Sequence, residues 1–513
     1  MKNFTISMMI IFCLGISVSF AQTNNSHITF KKTKQVNSIT NVENTNYIQS
    51  RSAVDCIFSD DFSDPSTWVI DHDASACNLD WEIGTGLECG GSYPIASIVS
   101  TTVDNGYAMV DSDEYGGEEG GSEVEDSWFT TANPMNLADY DNVVLQFETW
   151  YRSYNSERCF VVTSTTNTDW PELTPDSEAD PANGIYEVFP GISGSGDALQ
   201  DNPSLWRINI SESAGGEEQV WVRFHWTGTW GYAWFIDDVC VMQQPANDMS
   251  LNYGFTSHTG TGEEYGRIPV NQVSDDMAFG GEVYNFGTSG QSEVNLSMDA
   301  YLDGNSLVSG EDGFTMYTVD ADGYYSIEES DGMLDSDESG YFEMFMSSWA
   351  AGGEGLYSVD FVATSSEEVD GSEFFSDNIK TREFSVTEDL YSIDGIGVYA
   401  DPAISSMGTN SFTDGSDGFM MMTMYVIDQQ QKVAGLEILL DSHPEFGYSS
   451  PTSVAGGEVI ISLRDTSDVM AETFEPSETL VESDFYMVTE YDVEAGVLQV
   501  TFDEPYTLSP GAY

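Results

Sequence analysis

Carboxylates are the chemistry this sequence offers most freely. Its 513 residues carry 87 Asp and Glu against 14 Lys and Arg, a formal net charge of −73. Carboxylate oxygens in glycine-containing loops are hard ligands suited to calcium. The stretch "DSDEYGGEEGGSEVED", residues 111–126, has this composition, and Asp111 and Asp113 are spaced so that both can face one ion. In a protein this anionic, a solvated acidic loop explains the same stretch equally well. "DADGYYSIEE" at 320–329 looks like half an EF-hand, but Gly323 comes too early for the twelve-residue loop.

A second arrangement sets carboxylates inside an apolar run. "GTWGYAWFIDDVCV", residues 228–241, reads as a buried strand until Asp237 and Asp238. Side chains alternate faces along a strand, so one of the two points to solvent, and Asp237 is expected to be that one. The other needs a partner, because an unpaired buried carboxylate is very costly.

Aromatic residues are the third candidate. In "QVWVRFHWTGTWGYAWF", Val220, Val222, Phe224 and Trp226 fall on one face, leaving Trp221, Arg223 and His225 on the other. Trp230, Tyr232 and Trp234 are expected to share a face beyond the turn. Trp221, His225, Trp230 and Tyr232 are therefore the candidates to stack on sugar rings, against the commoner fate of aromatics as core. The run "FMMMTM" at 419–424 reads as strand core. There is no HExxH, GxSxG or GxxxxGK[ST] pattern, and His27, His72, His225, His258 and His443 are scattered. No catalytic site is expected.

The elements that would position these residues are strands. The chain is 40% hydrophobic and 13% aromatic, which argues for folded domains in spite of the charge. "NVVLQFETWY", "RCFVVTST" and "QVWVRFHW" are short, β-branched or aromatic, and bounded by turn residues, and no long amphipathic helix is evident. The expected fold is all-β, a series of sandwiches. "MQQPANDMSL" interrupts the strand patterns and divides a unit at 55–243 from one at 247–388 with an immunoglobulin-like length. A third sandwich is expected over 391–513, and the stop at "LSPGAY" reads as a truncation.

The opening "MKNFTISMMIIFCLGISVSFAQ" has the layout of a secretory signal peptide, residues 1–21, followed by a polar leader over 22–54 expected to be disordered. No later run reaches about 18 apolar residues, so direct membrane insertion is not expected. The acidic charge repels phosphate backbones and anionic lipid, which excludes nucleic acid as a partner. Export makes disulfides plausible. Cys77 and Cys89 flank one short loop and are the first expected pair, with Cys56–Cys240 the alternative that would join the ends of one domain.

Three segments carry a family resemblance: "FSDDFSDPSTWVIDHDASACNLDWEIG", "EDSWFTTANPMNLADYDNVVLQFETWYRSYNSERCFVVTSTTNTDW" and "VWVRFHWTGTWGYAWFIDDVCV". Together they resemble the cleaved-adhesin or choice-of-anchor jelly-roll family, relatives of MAM-like domains, over about residues 56–243. The later units look like the Ig-like modules that follow in surface proteins of Bacteroidetes with type IX secretion. The resemblance implies a jelly roll whose first and last strands pair, structural calcium, and a role in adhesion. It would place Asp60 or Asp61 and Asp238 among the calcium ligands, with Asp111 and Asp113 completing that site or forming another. The expected function is a secreted or cell-surface, calcium-stabilised adhesin that binds a glycan or matrix polymer. The alternative is a set of accessory modules of a secreted peptidase or glycoside hydrolase.

Overall fold

Strand follows strand from residue 56 onward in the computed structural model. It describes residues 56–513 apart from 92, 117–123, 191, 193–198, 200–201, 258–263, 274–275, 320–324, 348–352, 370–371, 373–374, 394–420, 445–450 and 467–478. The expected signal peptide and leader, the glycine-rich middle of the 111–126 stretch and the start of the EF-hand-like segment with Gly323 lie outside the described residues. Among the described residues the longest helix is the six-residue Glu490–Ala495, so the molecule is all-β as its periodicity predicts.

Eleven strands build the first sandwich: β1 (Phe58–Asp60), β2 (Trp68–His72), β3 (Glu82–Gly84), β4 (Tyr107–Asp111), β5 (Glu125–Thr131), β6 (Val143–Arg152), β7 (Arg158–Ser164), β8 (Ile185–Glu187), β9 (Ser204–Asn209), β10 (Trp221–Gly228) and β11 (Ala233–Gln243). One sheet runs β3-β4-β11-β6-β9 with β1 also on β11; the other runs β2-β5-β10-β7-β8. The first and last strands pair, with Phe58 opposite Val241 and Asp60 opposite Val239. Between the sheets Trp68, Trp81, Phe129, Phe147, Phe224 and Trp234 interlock, with Trp81 and Trp234 ring centres 5.2 Å apart and Phe129 stacked on Phe224 at 5.0 Å. Edge-to-face and offset aromatic pairs of this kind add to their burial energy.

The disulfide joins Cys56 to Cys240, with Cα atoms 5.6 Å apart, and not Cys77 to Cys89. The latter two remain thiols held by different neighbours. Cys77 Sγ accepts from the Asp126 backbone N–H at 3.2 Å, whereas Cys89 lies 4.0 Å from the Met109 sulfur. Nearness in sequence misleads here, since the paired β1 and β11 bring residues 184 apart together. Closing so long a loop stabilises by about 2–5 kcal/mol.

The second sandwich comprises β12 (Met249–Ser257), β13 (Arg267–Pro269), β14 (Asp276–Asn285), β15 (Asn295–Leu302), β16 (Asn305–Glu311), β17 (Thr315–Val319), β18 (Tyr325–Glu329), β19 (Ser339–Ser347), β20 (Gly355–Thr364) and β21 (Ile379–Thr387). Its sheets are β12-β14-β19-β17-β18 and β13-β21-β20-β15-β16. Strand β20 alternates cleanly, with Tyr357, Val359, Phe361 and Ala363 inward. Beyond it the described residues form two-stranded ladders, chiefly Gln431–Leu439 on Val497–Leu508, around Ile461, Val488, Leu498, Val500 and Phe502. The described part of the methionine run is not strand core: Met421, Met422 and Met424 are exposed and precede the strand Val426–Ile427, while 419–420 lie outside the described residues.

Candidate functional site

The five expected metal ligands fall in two places. Asp60 and Asp61 close the turn after β1. Asp60 Oδ1 accepts the Phe62 N–H at 2.8 Å, and Asp61 Oδ1 accepts the Ser63 hydroxyl at 2.6 Å and its N–H at 3.2 Å. Asn105 donates to Asp61 Oδ2 at 2.8 Å, and the Ser63 hydroxyl and N–H together hold this carboxyl below its usual pKa. Asp238 accepts from the Thr102 N–H and hydroxyl, both at 3.1 Å. The loop 100–105 thus bridges Asp61 and Asp238. Asp111 and Asp113 stand at the other end of β4, about 13 Å along the strand. Asp111 caps the short helix Ser112–Tyr115, accepting the Glu114 N–H at 2.9 Å and the Gly90 N–H at 2.8 Å, while Asp113 accepts the Tyr93 N–H.

The adjacent aspartates reverse the expectation. Asp237 is fully buried and Asp238 is the half-exposed one. Alternation fails because β11 slips by one residue against β6: Asp237 faces Glu148 but Cys240 faces Gln146, and Asp238 takes a left-handed φ of 50°. A bulge of this kind re-aims side chains, and sequence period cannot show it. Ser100 donates its hydroxyl to Asp237 at 2.5 Å and the Asp238 N–H adds a second bond at 2.7 Å. Glu148, which the sequence reading missed, is buried beside them and accepts the Thr101 N–H at 2.6 Å and hydroxyl at 2.7 Å. Burial, reinforced by the charges of Asp238 and Glu148, pushes the Asp237 carboxyl up to about 7. These carboxylates are satisfied by hydroxyls and amides. Among the described residues no group of three or more His, Cys, Asp or Glu is arranged to hold a metal ion. Asp111 and Asp113 therefore do not complete a site with Asp60, Asp61 and Asp238, from which the length of β4 separates them.

The aromatic candidates also separate into two groups. On the outward face of β10, His225 is only 2% exposed and Arg223 is buried. Arg223 lies between Trp128 and Trp170, its guanidinium carbon 4.6 and 3.8 Å from their ring centres, and Nε donates to Thr130 at 3.0 Å. His225 Nε2 is 2.5 Å from Asp126 Oδ1, and burial outweighs that carboxylate and drives the imidazole below its ordinary pKa. Burial also brings Arg223 down to about 10, which leaves it charged at neutral pH. The β7–β8 connection supplies Trp170 and, with Leu173 on Phe160 and Val162, a small second core. His225 is therefore sealed inside, and Trp221, half-buried on the same strand with its indole N–H enclosed, is no open platform.

Trp230 and Tyr232 belong instead to an open rim. Trp230 is 56% exposed on the β10–β11 turn, Tyr154 is 50% exposed on the β6–β7 turn, and Tyr93 is 68% exposed. Tyr232 meets Tyr154 edge-to-face at 5.5 Å, and the Arg152 guanidinium sits 4.7 Å from its ring centre. Burial, with Tyr154, Asp113 and Tyr93 close by, pushes the Tyr232 hydroxyl up against the pull of Arg152. Trp234 leaves this face for the core, where its indole donates to Thr149 at 2.9 Å.

Backbone contacts fix the rim. The Tyr232 carbonyl accepts the Ser112 and Asp113 N–H groups at 3.0 and 3.3 Å, and Gly231 donates to the Ser112 hydroxyl at 2.9 Å. That hydroxyl donates to the buried Glu125 at 2.9 Å, which also receives the Trp226 indole at 2.8 Å. Glu157, buried and raised in pKa by that burial, accepts the N–H groups of Tyr154 and Asn155. A Cβ on Gly231 would come within 2.6 Å of the Trp226 ring, and one on Gly228 within 2.3 Å of the Glu157 backbone. The two turns pack closely because these positions lack side chains. The result is a set of flat apolar rings beside a guanidinium and a carboxylate, the chemistry that stacks on sugar faces and bonds their hydroxyls.

No family model matches the chain, and no curated protein matches it. Among solved structures it is similar to the K3 cleaved adhesin domain of Lys-gingipain from Porphyromonas gingivalis w83, at 14% identity and a TM-score of 0.23, over 37% of this chain and 99% of that one. It is also similar to a Bacteroides uniformis beta-glucuronidase, at 10% identity and 0.26, over 62% and 32%. The Spr0440 glycoside hydrolase domain, Endo-D, from Streptococcus pneumoniae R6 follows at 11% and 0.19, over 62% and 37%. The chain spans about a third of the length of the latter two. Scores this low carry no argument about function.

Proposed function

We propose that this chain is an exported binding protein of the cell surface, and that the aromatic rim of its first sandwich takes a glycan. The observation that carries this reading is the meeting of exposed Tyr93 and Tyr154 at Tyr232 and Arg152, with exposed Trp230 on the turn two residues before Tyr232. Contiguous exposed apolar surface of this kind often marks a binding site. Export is supported by the Cys56–Cys240 bond, which persists in oxidising compartments. No helix among the described residues is long and apolar enough to cross a membrane. The cleaved-adhesin, MAM-like resemblance and a type IX route belong to the same proposal. The rim would serve equally in an accessory module of a secreted hydrolase.

A glycan screen with the full chain and its Trp230→Ala and Tyr154→Ala variants tests the rim. Binding that both variants weaken is the expected result. No glycan bound, or a bound glycan indifferent to both changes, overturns it. Calcium enters the proposal only as a stabiliser of this very acidic molecule, and no step of recognition runs through it. Melting in calcium should exceed melting in chelator at equal ionic strength; equal values remove calcium from the proposal.

A further inference from the structure

The first and second sandwiches meet at a buried charge cluster with more acids than bases. Val144, Cys240 and Met242 of the first pack on Phe286 of the second, and Gln244 Nε2 donates to the Phe286 carbonyl at 2.6 Å. Over this contact Arg207 of β9 lies 5.5 Å from the Phe286 ring centre and forks to Asp248, which precedes β12, and to Asp377 in the turn Phe375–Asn378. Glu368 completes the group, accepting the Met249 N–H at 2.6 Å. Asp248 and Glu368 are both buried. Asp248 Oδ1 and Glu368 Oε1 have no hydrogen-bond partner, and the Asn378 carboxamide oxygen is likewise enclosed. Three carboxylates thus face one guanidinium, and full ionisation would leave two negative charges in excess.

Leaving buried carboxylates ionised and unpaired is costly, and protonation removes the cost. We propose that this junction is proton-linked: seating the first sandwich on the second takes up protons at Asp248 and Glu368, so the two are clamped in mild acid and loosened in alkali. Arg207 alone, from β9, opposes the three acids from the second sandwich. Burial pushes both carboxyls above their ordinary range, Glu368 to about 7, with Asp377 adding to each rise and Arg207 resisting it. A carboxyl whose pKa is raised on docking disfavours the docked state above that pKa and ceases to do so as pH falls towards its free value.

Hydrogen exchange of the full chain tests this. Between pH about 8 and about 5.5, corrected for intrinsic exchange, protection of the junction amides Met249, Phe286 and Gly287 should rise about thirtyfold for each titrating group. Amides of the β20–β21 ladder should change far less. In the Asp248→Asn/Glu368→Gln double variant the junction protection should be high and flat with pH. Junction protection that follows the β20–β21 amides, or that keeps its pH dependence in the double variant, overturns the proposal. If the variant does not fold, the contrast between junction and ladder amides in the unaltered chain decides.

Discussion

Two clusters in the first sandwich are made of the same parts. On the outward face of β10 a guanidinium, Arg223, is held against Trp128 and Trp170; at the rim another, Arg152, is held against Tyr232 beside Tyr154. The first is closed by the β7–β8 connection, with Leu173 and Trp170 over the strand, and its histidine is neutralised by burial. The second is open: Trp230 on the β10–β11 turn and Tyr154 on the β6–β7 turn stay 56% and 50% exposed. Residue type therefore does not separate a structural aromatic from a recognition aromatic. Cover does.

The largest effect should come from the closed cluster. Arg223→Ala removes two cation–ring contacts and the bond to Thr130 and leaves Trp170 without its seat. The expected loss is about 2–4 kcal/mol of stability, read from urea unfolding, with glycan affinity of the still-folded protein unchanged. A loss of affinity at full occupancy of the folded state would show that the closed face also recognises ligand. The comparison would then fail.

At the open rim the signs reverse. Trp230→Ala should lower glycan affinity about tenfold or more by titration calorimetry, since a stacked ring at the centre of a small site carries much of its energy. Stability should move by less than about 0.5 kcal/mol, as expected for an exposed position. An unfolding midpoint that falls as far as that of Arg223→Ala would mean Trp230 is structural after all.

How far sequence reached these two clusters depends on what each statement needed. Period two was enough for the fold: β20 alternates Tyr357, Val359, Phe361 and Ala363 inward, and β10 turns Val222, Phe224 and Trp226 to the core. Period also picked out Trp221 and His225 as facing outward, which is true of the strand, but in the molecule His225 is buried beside Trp128 and Asp126 and Trp221 is half-buried. Trp230 and Tyr232 were legible as candidates, yet Tyr93 and Tyr154 from other loops and Arg152 from the end of β6 reach Tyr232 only in the fold. The Asp237–Asp238 assignment failed at a bulge, a one-residue slip set by the pairing of β11 with β6. The first disulfide choice, Cys77–Cys89, gave way to its alternative, Cys56–Cys240, and the described part of the methionine run proved exposed, for a related reason. Proximity in sequence is not proximity in space, and an apolar run is core only where something packs on it.

The smallest effect sharpens the comparison by pH. His225 is held neutral by burial, with a folded pKa below its ordinary value of 6.5, and the neighbouring Asp126 does not reverse this. Unfolding lets the imidazole take a proton, so its contribution is fully present above pH about 6.5 and is lost as pH falls through the folded value. The carboxyl of Asp237, raised to about 7, works in the opposite direction over the same range, so the histidine must be read as a difference. His225→Gln keeps a neutral polar group opposite Asp126. Relative to this variant, the unaltered protein should lose up to about 0.8 kcal/mol between pH about 8 and about 6 in parallel urea series. Glycan affinity should differ between the two proteins by nothing measurable at either pH, because the rim lies beyond the Gly228 end of β10 and shares no side chain with the closed face. A pH-dependent affinity that His225→Gln abolishes would instead show the closed cluster reporting to the open one, and the two would have to be treated as a single site.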